Sequence, residues 1–316
     1  MQIRDARARY IRWLLVARDL SPHTIRAYEG DLISVERHLG VRGRVAEIDR
    51  EALDSFVEAQ KANGLSPASL KRRASALRGF TRWLASQGFV KSDPWQGATL
   101  TLSRSRRLPR VLPAHELDRL LDFLISAANI NRNGRLDPQQ IRKRPHESTT
   151  LLAVALMVST GARVHEAVSI NRADIDLPGR SVRLLGKGRR ERQVFLTNAW
   201  ISELTAAYIE ATAGFHLQHP RLLFNLHRDP LTTSAMRSRL IKAASEAGLA
   251  TRVTPHMLRH TAATQLIEAG VDIRYIQRLL GHASLSTTEI YTHVSDGALK
   301  RVVSDADILG RLARAR

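Results

Sequence analysis

The chain contains no cysteine, which excludes disulfides, cysteine-ligated zinc and thiol nucleophiles together. Long hydrophobic runs are missing too. The longest, Leu151 to Val158, falls far short of the ~20 apolar residues that span a bilayer. The N-terminus, Met1-Gln2-Ile3-Arg4-Asp5, carries charge where a signal peptide needs an apolar core, and Asp5 and Asp19 interrupt the basic pattern of a transit peptide. A protein of the cytoplasm, associated with the nucleoid, is therefore expected. There is no Gly-rich phosphate loop of the Walker type and no acidic cluster with two-metal spacing. Acidic residues are also scarce beside basic ones, with 30 Asp and Glu against 49 Lys and Arg among 316 residues and a formal net charge of +19.

What is present is a globular composition, 43% hydrophobic, at a length that favours two domains. So large a surplus of cations on a chain with a core points to a polyanionic partner, and the arginine fork suits phosphate better than a lysine point charge. The first part of the chain reads as helical. Leu20-Ser21-Pro22-His23-Thr24 and Leu65-Ser66-Pro67-Ala68-Ser69 each offer a serine N-cap followed by proline at the first helical position. Apolar residues recur at helical spacing around them, as in Ile11, Leu14 and Leu15 or Leu70, Leu77 and Leu84. Residues 1–95 are expected to form one all-helical domain, with Phe80 and Trp83 in its core. Lys71, Arg72, Arg73, Arg78 and Arg82 share its last helix, either as a phosphate-facing strip or as an ordinary solvated face.

Residues 96–112 read as a basic linker, with Arg104, Arg106, Arg107 and Arg110 among breakers such as Pro109, fit to cross a nucleic-acid backbone. Residues 113–316 form the second domain. It is mainly helical, with a polar stretch at 126–147 expected as a surface insertion. Its small antiparallel sheet is a turn at Asp176–Arg180, a strand at Ser181–Leu185, a tight turn at Gly186-Lys187-Gly188 and a returning strand at Gln193–Leu196. From Gly297 to Arg316 an amphipathic pattern closes the chain.

The chemistry-bearing residues lie in this second domain. Thr254-Pro255 starts a helix, which places His256 in the first turn and Arg259 three residues on along the same face. His260 points to the next face and is the best candidate for a purely structural histidine. Leu280-Gly281-His282 follows, and Ser286-Thr287-Thr288-Glu289 is a capping box that sets Tyr291 early on its own helix. Upstream, Thr160-Gly161-Ala162-Arg163-Val164-His165-Glu166 ends an apolar helix at glycine and then presents an arginine and a carboxylate. Each segment alone has a bland reading as a solvated turn or a helix start. Together they hold cations for a phosphate, proton carriers and a phenol, a set that can break a phosphodiester without a metal.

These segments, with Gly186-Lys187-Gly188-Arg189-Arg190-Glu191-Arg192 and Tyr291-Thr292-His293-Val294, stand in one order in which the chain resembles the tyrosine recombinases of the phage-integrase family. The resemblance covers nearly the whole chain. It implies a mainly α fold with a small antiparallel β-sheet, in which a helical core-binding (SAM-like) domain and an α+β catalytic domain form a C-shaped clamp on DNA. It also implies site-specific recombination through a 3′-phosphotyrosine and a Holliday junction, for integration, excision, resolution or transposition of a mobile element, without cofactor, metal or ATP. By that likeness Arg163, Arg259 and His282 would hold the scissile phosphate, Lys187 would protonate the leaving oxygen, His256 would assist the proton at the tyrosine, and Tyr291 would attack. Glu166 would orient Arg163. Lys71, Arg72, Arg73, Arg78, Arg104, Arg106 and Arg107 would contact DNA.

The implied partners are double-stranded DNA bearing inverted-repeat core sites and further copies of the chain, joined into a tetramer through the C-terminal tail or, alternatively, with that tail packed on its own domain. Phe195 stands where many relatives have proline and Gln265 where a histidine is common, which bears on the subfamily alone. No arm-binding domain precedes the first helices, which favours an Xer-like or transposon-encoded enzyme. Three alternatives remain: a type IB topoisomerase-like enzyme with the same chemistry, a DNA-binding regulator without catalysis, and a metal hydrolase using His256 and His260.

Overall fold

The computed structural model describes every residue except 19, 21, 41, 97–110, 132–135, 187–190, 215–218, 282–295, 308, 309 and 311–316. The chain divides into two compact units, Met1–Arg107 and Leu108–Arg316.

The first unit contains the helices α1 (Ile3–Ala17), α2 (Pro22–Leu39), α3 (Arg50–Ala62) and α4 (Pro67–Ser86). Ser66 caps α4 by accepting the Ser69 amide at 3.3 Å, and Pro67 fills the first helical position, where no hydrogen bond is forfeited. The apolar stripes close on Leu32, Leu53, Phe56, Leu77 and Leu84. Tyr10 tilts against Phe80 and Trp83 at ring-centroid distances of 5.3 and 5.4 Å, so both α4 aromatics belong to the core, as expected.

The basic strip of α4 does not behave as a unit. Arg72 and Arg73 both pair with Asp31, which is buried on α2, and Arg73 also donates to Gln60. Burial pushes the Asp31 carboxyl up while the two guanidiniums pull it down, so these arginines compensate a charge inside their own domain. Arg78 lies over the buried Trp95 ring at 5.3 Å. Lys71 and Arg82 stay exposed. The strip is therefore a mixture, with Arg72 and Arg73 engaged in packing α4 onto α2.

In the second unit α5 (Ala114–Ala127), α6 (Pro138–Lys143), α7 (Pro145–Thr160), α8 (Val164–Ser169), α9 (Ala199–Ala211), α10 (Thr233–Glu246) and α11 (Pro255–Glu268) precede α12 (Ile273–Leu280) and α13 (Asp296–Ala306). The strands β1 (Ile175–Asp176), β2 (Ser181–Leu185) and β3 (Glu191–Phe195) form one antiparallel sheet in that order. α7 is apolar on every side because helices surround it: α5, α6, α8, α9, α10 and α11 all pack against it, and Leu151 to Val158 are all buried. Its buried threonines are satisfied, Thr149 by the Pro145 carbonyl and the Tyr208 hydroxyl and Thr160 by the Leu156 carbonyl, each at 2.6 Å, while the Ser148 hydroxyl has no hydrogen-bond partner among the described residues.

Three expectations change here. The stretch at 126–147 is not a surface insertion. Ile130, Leu136 and Ile141 are buried in the second unit's core, and α6 packs on α9. Three isolated apolar residues in polar sequence were too sparse to show a period. The returning strand runs Glu191–Phe195 rather than Gln193–Leu196, and the turn at Asp176 begins with the short β1. Glu191 and Gln193 face solvent while Val194 and Phe195 are buried, so the strand's polar first half looked like loop. Finally, Leu112 is no longer linker: it is buried, and its amide donates to Thr261 at 2.9 Å, fixing the chain onto α11.

Of the C-terminal pattern, α13 packs on its own unit. Val303 and Ala306 are buried, Thr197 donates to the Val303 carbonyl at 3.5 Å, and Asn198 donates to Asp307 at 2.9 Å. Residues 311–316 lie outside the described part of the chain.

Candidate active site

The site is built where α7 ends. Gly161 closes that helix in the left-handed region, φ +63°, and any Cβ there would collide with the Leu280 side chain. The chain then turns extended at Arg163 and enters α8. Glu166, three residues on, accepts the Arg163 amide at 2.8 Å and Arg163 Nη1 at 2.9 Å. The short turn thus fixes Arg163 at its backbone amide and at its guanidinium.

α11 starts at Thr254, whose side chain accepts the Met257 amide at 3.3 Å, followed by Pro255. His256 is exposed, but Arg259 is only 5% exposed, so the two do not share an environment despite their spacing. Arg259 Nη1 donates to the Gly161 carbonyl and Nη2 to the Leu280 carbonyl, both at 2.6 Å. Arg163 reaches the same place, with Nη1 3.4 Å from the Leu280 carbonyl and Nη2 3.3 Å from that of Gly281. Two arginines far apart in sequence therefore meet on one carbonyl, two residues before His282.

A third guanidinium completes the cluster. Arg192 on β3 grips Glu166 through Nη1 at 2.8 Å and Nη2 at 2.7 Å, and its Nε donates to the Leu279 carbonyl at 2.7 Å. Arg192 stands inside the Gly186–Arg192 segment, where its sequence neighbours give it no distinguishing mark. The available signal was strand parity, since Arg192 shares the inward face with Val194 and pairs with buried Leu184.

Three cations face one carboxylate. Burial alone would push the Glu166 carboxyl up, but hydrogen bonds from Arg192 and from the Arg163 amide outweigh it and hold it at about 2. Arg259 is lowered to about 10, by burial first and by Arg163 second, and remains charged at neutral pH. His260 is exposed rather than buried against a carbonyl; what burial its ring has, then His256 and Arg259, lower its pKa. The cluster keeps an excess of positive charge, which is the requirement for holding an anion. Among the described residues no group of three or more His, Asp or Glu could hold a metal ion, and no helix is long and apolar enough to cross a membrane.

Of the residues singled out by sequence, the structure brings Arg163, Glu166 and Arg259 together. Lys187, His282 and Tyr291 lie outside the described residues, as do Arg104, Arg106 and Arg107.

The profile of the phage integrase family matches residues 110–297, and that of the phage integrase N-terminal SAM-like domain matches residues 8–88. The chain is 34% identical to tyrosine recombinase XerC of Xylella fastidiosa, over 94% of this chain and 95% of that protein. The chain belongs to the phage integrase family of tyrosine recombinases. It is also 32% identical to tyrosine recombinase XerD of Mycobacterium leprae, over 94% of this recombinase and 95% of the relative. Among solved structures, a lambda integrase (75–356) dimer bound to a COC′ core site matches at a TM-score of 0.68 and 18% identity, covering 93% of this recombinase and 100% of that chain. XerH bound to palindromic difH, in a post-cleavage complex, matches at 0.67 and 24%, covering 95% and 80%. Those two likenesses show that the fold is the recombinase fold.

Gly161→Ala tests the geometry directly. A left-handed alanine costs about 1 kcal/mol and its Cβ displaces Leu280, whose carbonyl both arginines use. The expected outcome in this recombinase is a small fall in melting temperature with a far larger fall in DNA cleavage rate.

Proposed function

We propose that this recombinase cleaves and rejoins DNA at specific sites through Tyr291. The reading is carried by the convergence of Arg163 and Arg259 on the carbonyl of Leu280, beside a carboxylate that neutralises only part of their charge. A scissile phosphate seated there gains two charge-assisted donors, with His282 next in the chain. As the Tyr291 oxygen bonds to phosphorus, the bond to the 5′-oxygen breaks and negative charge builds on the non-bridging oxygens, where the guanidiniums stabilise it more than in the ground state. His256 accepts the phenol proton, needed because a free phenol has a pKa of about 10. Lys187 donates a proton to the 5′-oxygen.

The products of the first step are a 3′-phosphotyrosine and a free 5′-hydroxyl. One phosphoester replaces another, so no external energy source is required, and attack by a 5′-hydroxyl from a second duplex reverses the step and joins new partners. Four copies acting on two inverted-repeat sites through a Holliday junction are the assembly this exchange calls for. Residues 1–95 with the arginines of 96–112 hold the duplex, and the site of action is the cytoplasm.

The test uses duplexes selected by binding from a random-sequence pool, rebuilt with a nick beside the cleavage point so that religation is blocked. An SDS-resistant protein–DNA adduct without added metal is expected. Binding without any adduct would overturn the cleavage reading. Relaxation of supercoiled plasmid with no recombinant product would favour a topoisomerase-like enzyme. Arg163→Ala is expected to slow adduct formation ~1,000-fold, the scale for losing a donor to a developing oxyanion. Its affinity should change little, as measured by gel shift.

A further inference from the structure

We propose that Arg192 is a positioning residue of the recombinase, locking the last turn of α12, and so the approach to His282, to the carboxylate that holds Arg163. The proposal rests on the reading that Arg163 and His282 act on the scissile phosphate.

One side chain joins three elements. Arg192 comes from β3, its Nη1 and Nη2 engage both oxygens of Glu166 on α8, and its Nε donates to the Leu279 carbonyl at the end of α12. Its side chain also lies close against Gly281, where a Cβ would stand 3.1 Å from Nη1 and 3.3 Å from Cζ. Gly281 is left-handed, φ +63°, and ends α12. The last carbonyls of a helix carry partial negative charge and lack partners within the helix, so a cation is favoured there. Leu279, Leu280 and Gly281 each receive an arginine: Arg192, then Arg163 with Arg259, then Arg163.

The three arginines divide this work by exposure. The Arg163 side chain is 35% exposed, and its bonds to the Leu280 and Gly281 carbonyls are long. It can turn to a phosphate while Glu166 still holds its other edge. The Arg192 side chain is 12% exposed, and its bonds to Glu166 and to the Leu279 carbonyl are all 2.8 Å or shorter. Arg192 is committed to protein and sets the frame in which Arg163 is free to act. Lysine cannot substitute, because a point charge reaches one partner where the fork reaches three acceptors.

The test compares Arg192→Gln and Arg192→Lys with the unaltered full chain. Three quantities are read: adduct formation rate at saturating nicked duplex, affinity for the same duplex, and hydrogen exchange across residues 273–281. Both variants are expected to lose about 100-fold in cleavage rate, the scale of a small misplacement of reacting groups. Affinity should hold, and exchange at the end of α12 should rise while α7 stays protected. Arg192→Lys should recover melting temperature without recovering cleavage. Recovery of both together would make Arg192 a stabilising charge only and overturn the proposal, as would unchanged exchange across 273–281. If the unaltered chain forms no adduct, the cleavage reading fails, and the exchange result decides by itself whether Arg192 anchors α12.

Discussion

Tyr291→Phe is expected to leave DNA binding intact and to abolish the covalent adduct. The substitution removes one oxygen and nothing else, so the cationic cluster proposed to meet the phosphate is untouched. Without that oxygen there is no atom to bond phosphorus, and the loss should reach the detection limit rather than a finite fold. Mixing experiments sharpen the measurement. Mixed with active chain on a two-site substrate, the variant should still occupy its site while adducts form only on the active copy. A normal rate of strand cleavage by Tyr291→Phe would assign the nucleophile elsewhere, with Tyr275, at the face of α12, as the next phenol to test.

The second large effect is on stability. Glu166 has no exposed side-chain surface and is held by Arg163 and Arg192. Removing one partner of a buried ion pair costs roughly 3–5 kcal/mol, because the remaining charges stay buried without compensation. The titration of the same group gives a consistent figure. Its folded pKa of about 2 lies below the ordinary glutamate value of 4.5, and a downward shift of that size corresponds to about 3 kcal/mol. The sign follows from the direction of the shift. A carboxylate with a depressed folded pKa stabilises the fold above its unfolded pKa, and that stability drains away as pH falls from 4.5 toward 2. Glu166→Ala is therefore expected to lower the stability of the catalytic unit at neutral pH and to flatten its dependence on pH across that window. Calorimetry on both chains from pH 7 to 2 measures the two together. An unchanged acid limb in the variant would show that Glu166 is not the group lost there.

Much of the fold is legible in the sequence because it rests on local rules. Ser66-Pro67 and Thr254-Pro255 start helices where a capping oxygen and a residue without an amide hydrogen are both favoured. Gly161 ends a helix at a position that requires positive φ. Leu151 to Val158 stands out as the longest apolar run, and the structure adds that it is buried throughout. What failed to show had too little local pattern. Ile130, Leu136 and Ile141 are single apolar residues among polar ones, and only the surrounding helices make them core. The polar first half of β3 gave no alternation to detect.

The site divides in the same way. The residue types at Arg163, His256, Arg259, His282 and Tyr291 suit chemistry on a phosphodiester, and the order in which they stand with Glu166 and Lys187 carries the resemblance to the tyrosine recombinases. Sequence could not say that Arg72 and Arg73 compensate Asp31, because an arginine on an exposed helix face looks the same whether or not a buried carboxylate lies across from it. Nor could it separate Arg192 from the basic residues beside it. The chain by itself determined which side chains and which local turns exist. Only the tertiary structure decided which of the many arginines share a carboxylate or a carbonyl, because that depends on distances across elements remote in sequence, and a charge carries no mark of its partner until the fold brings the two within reach.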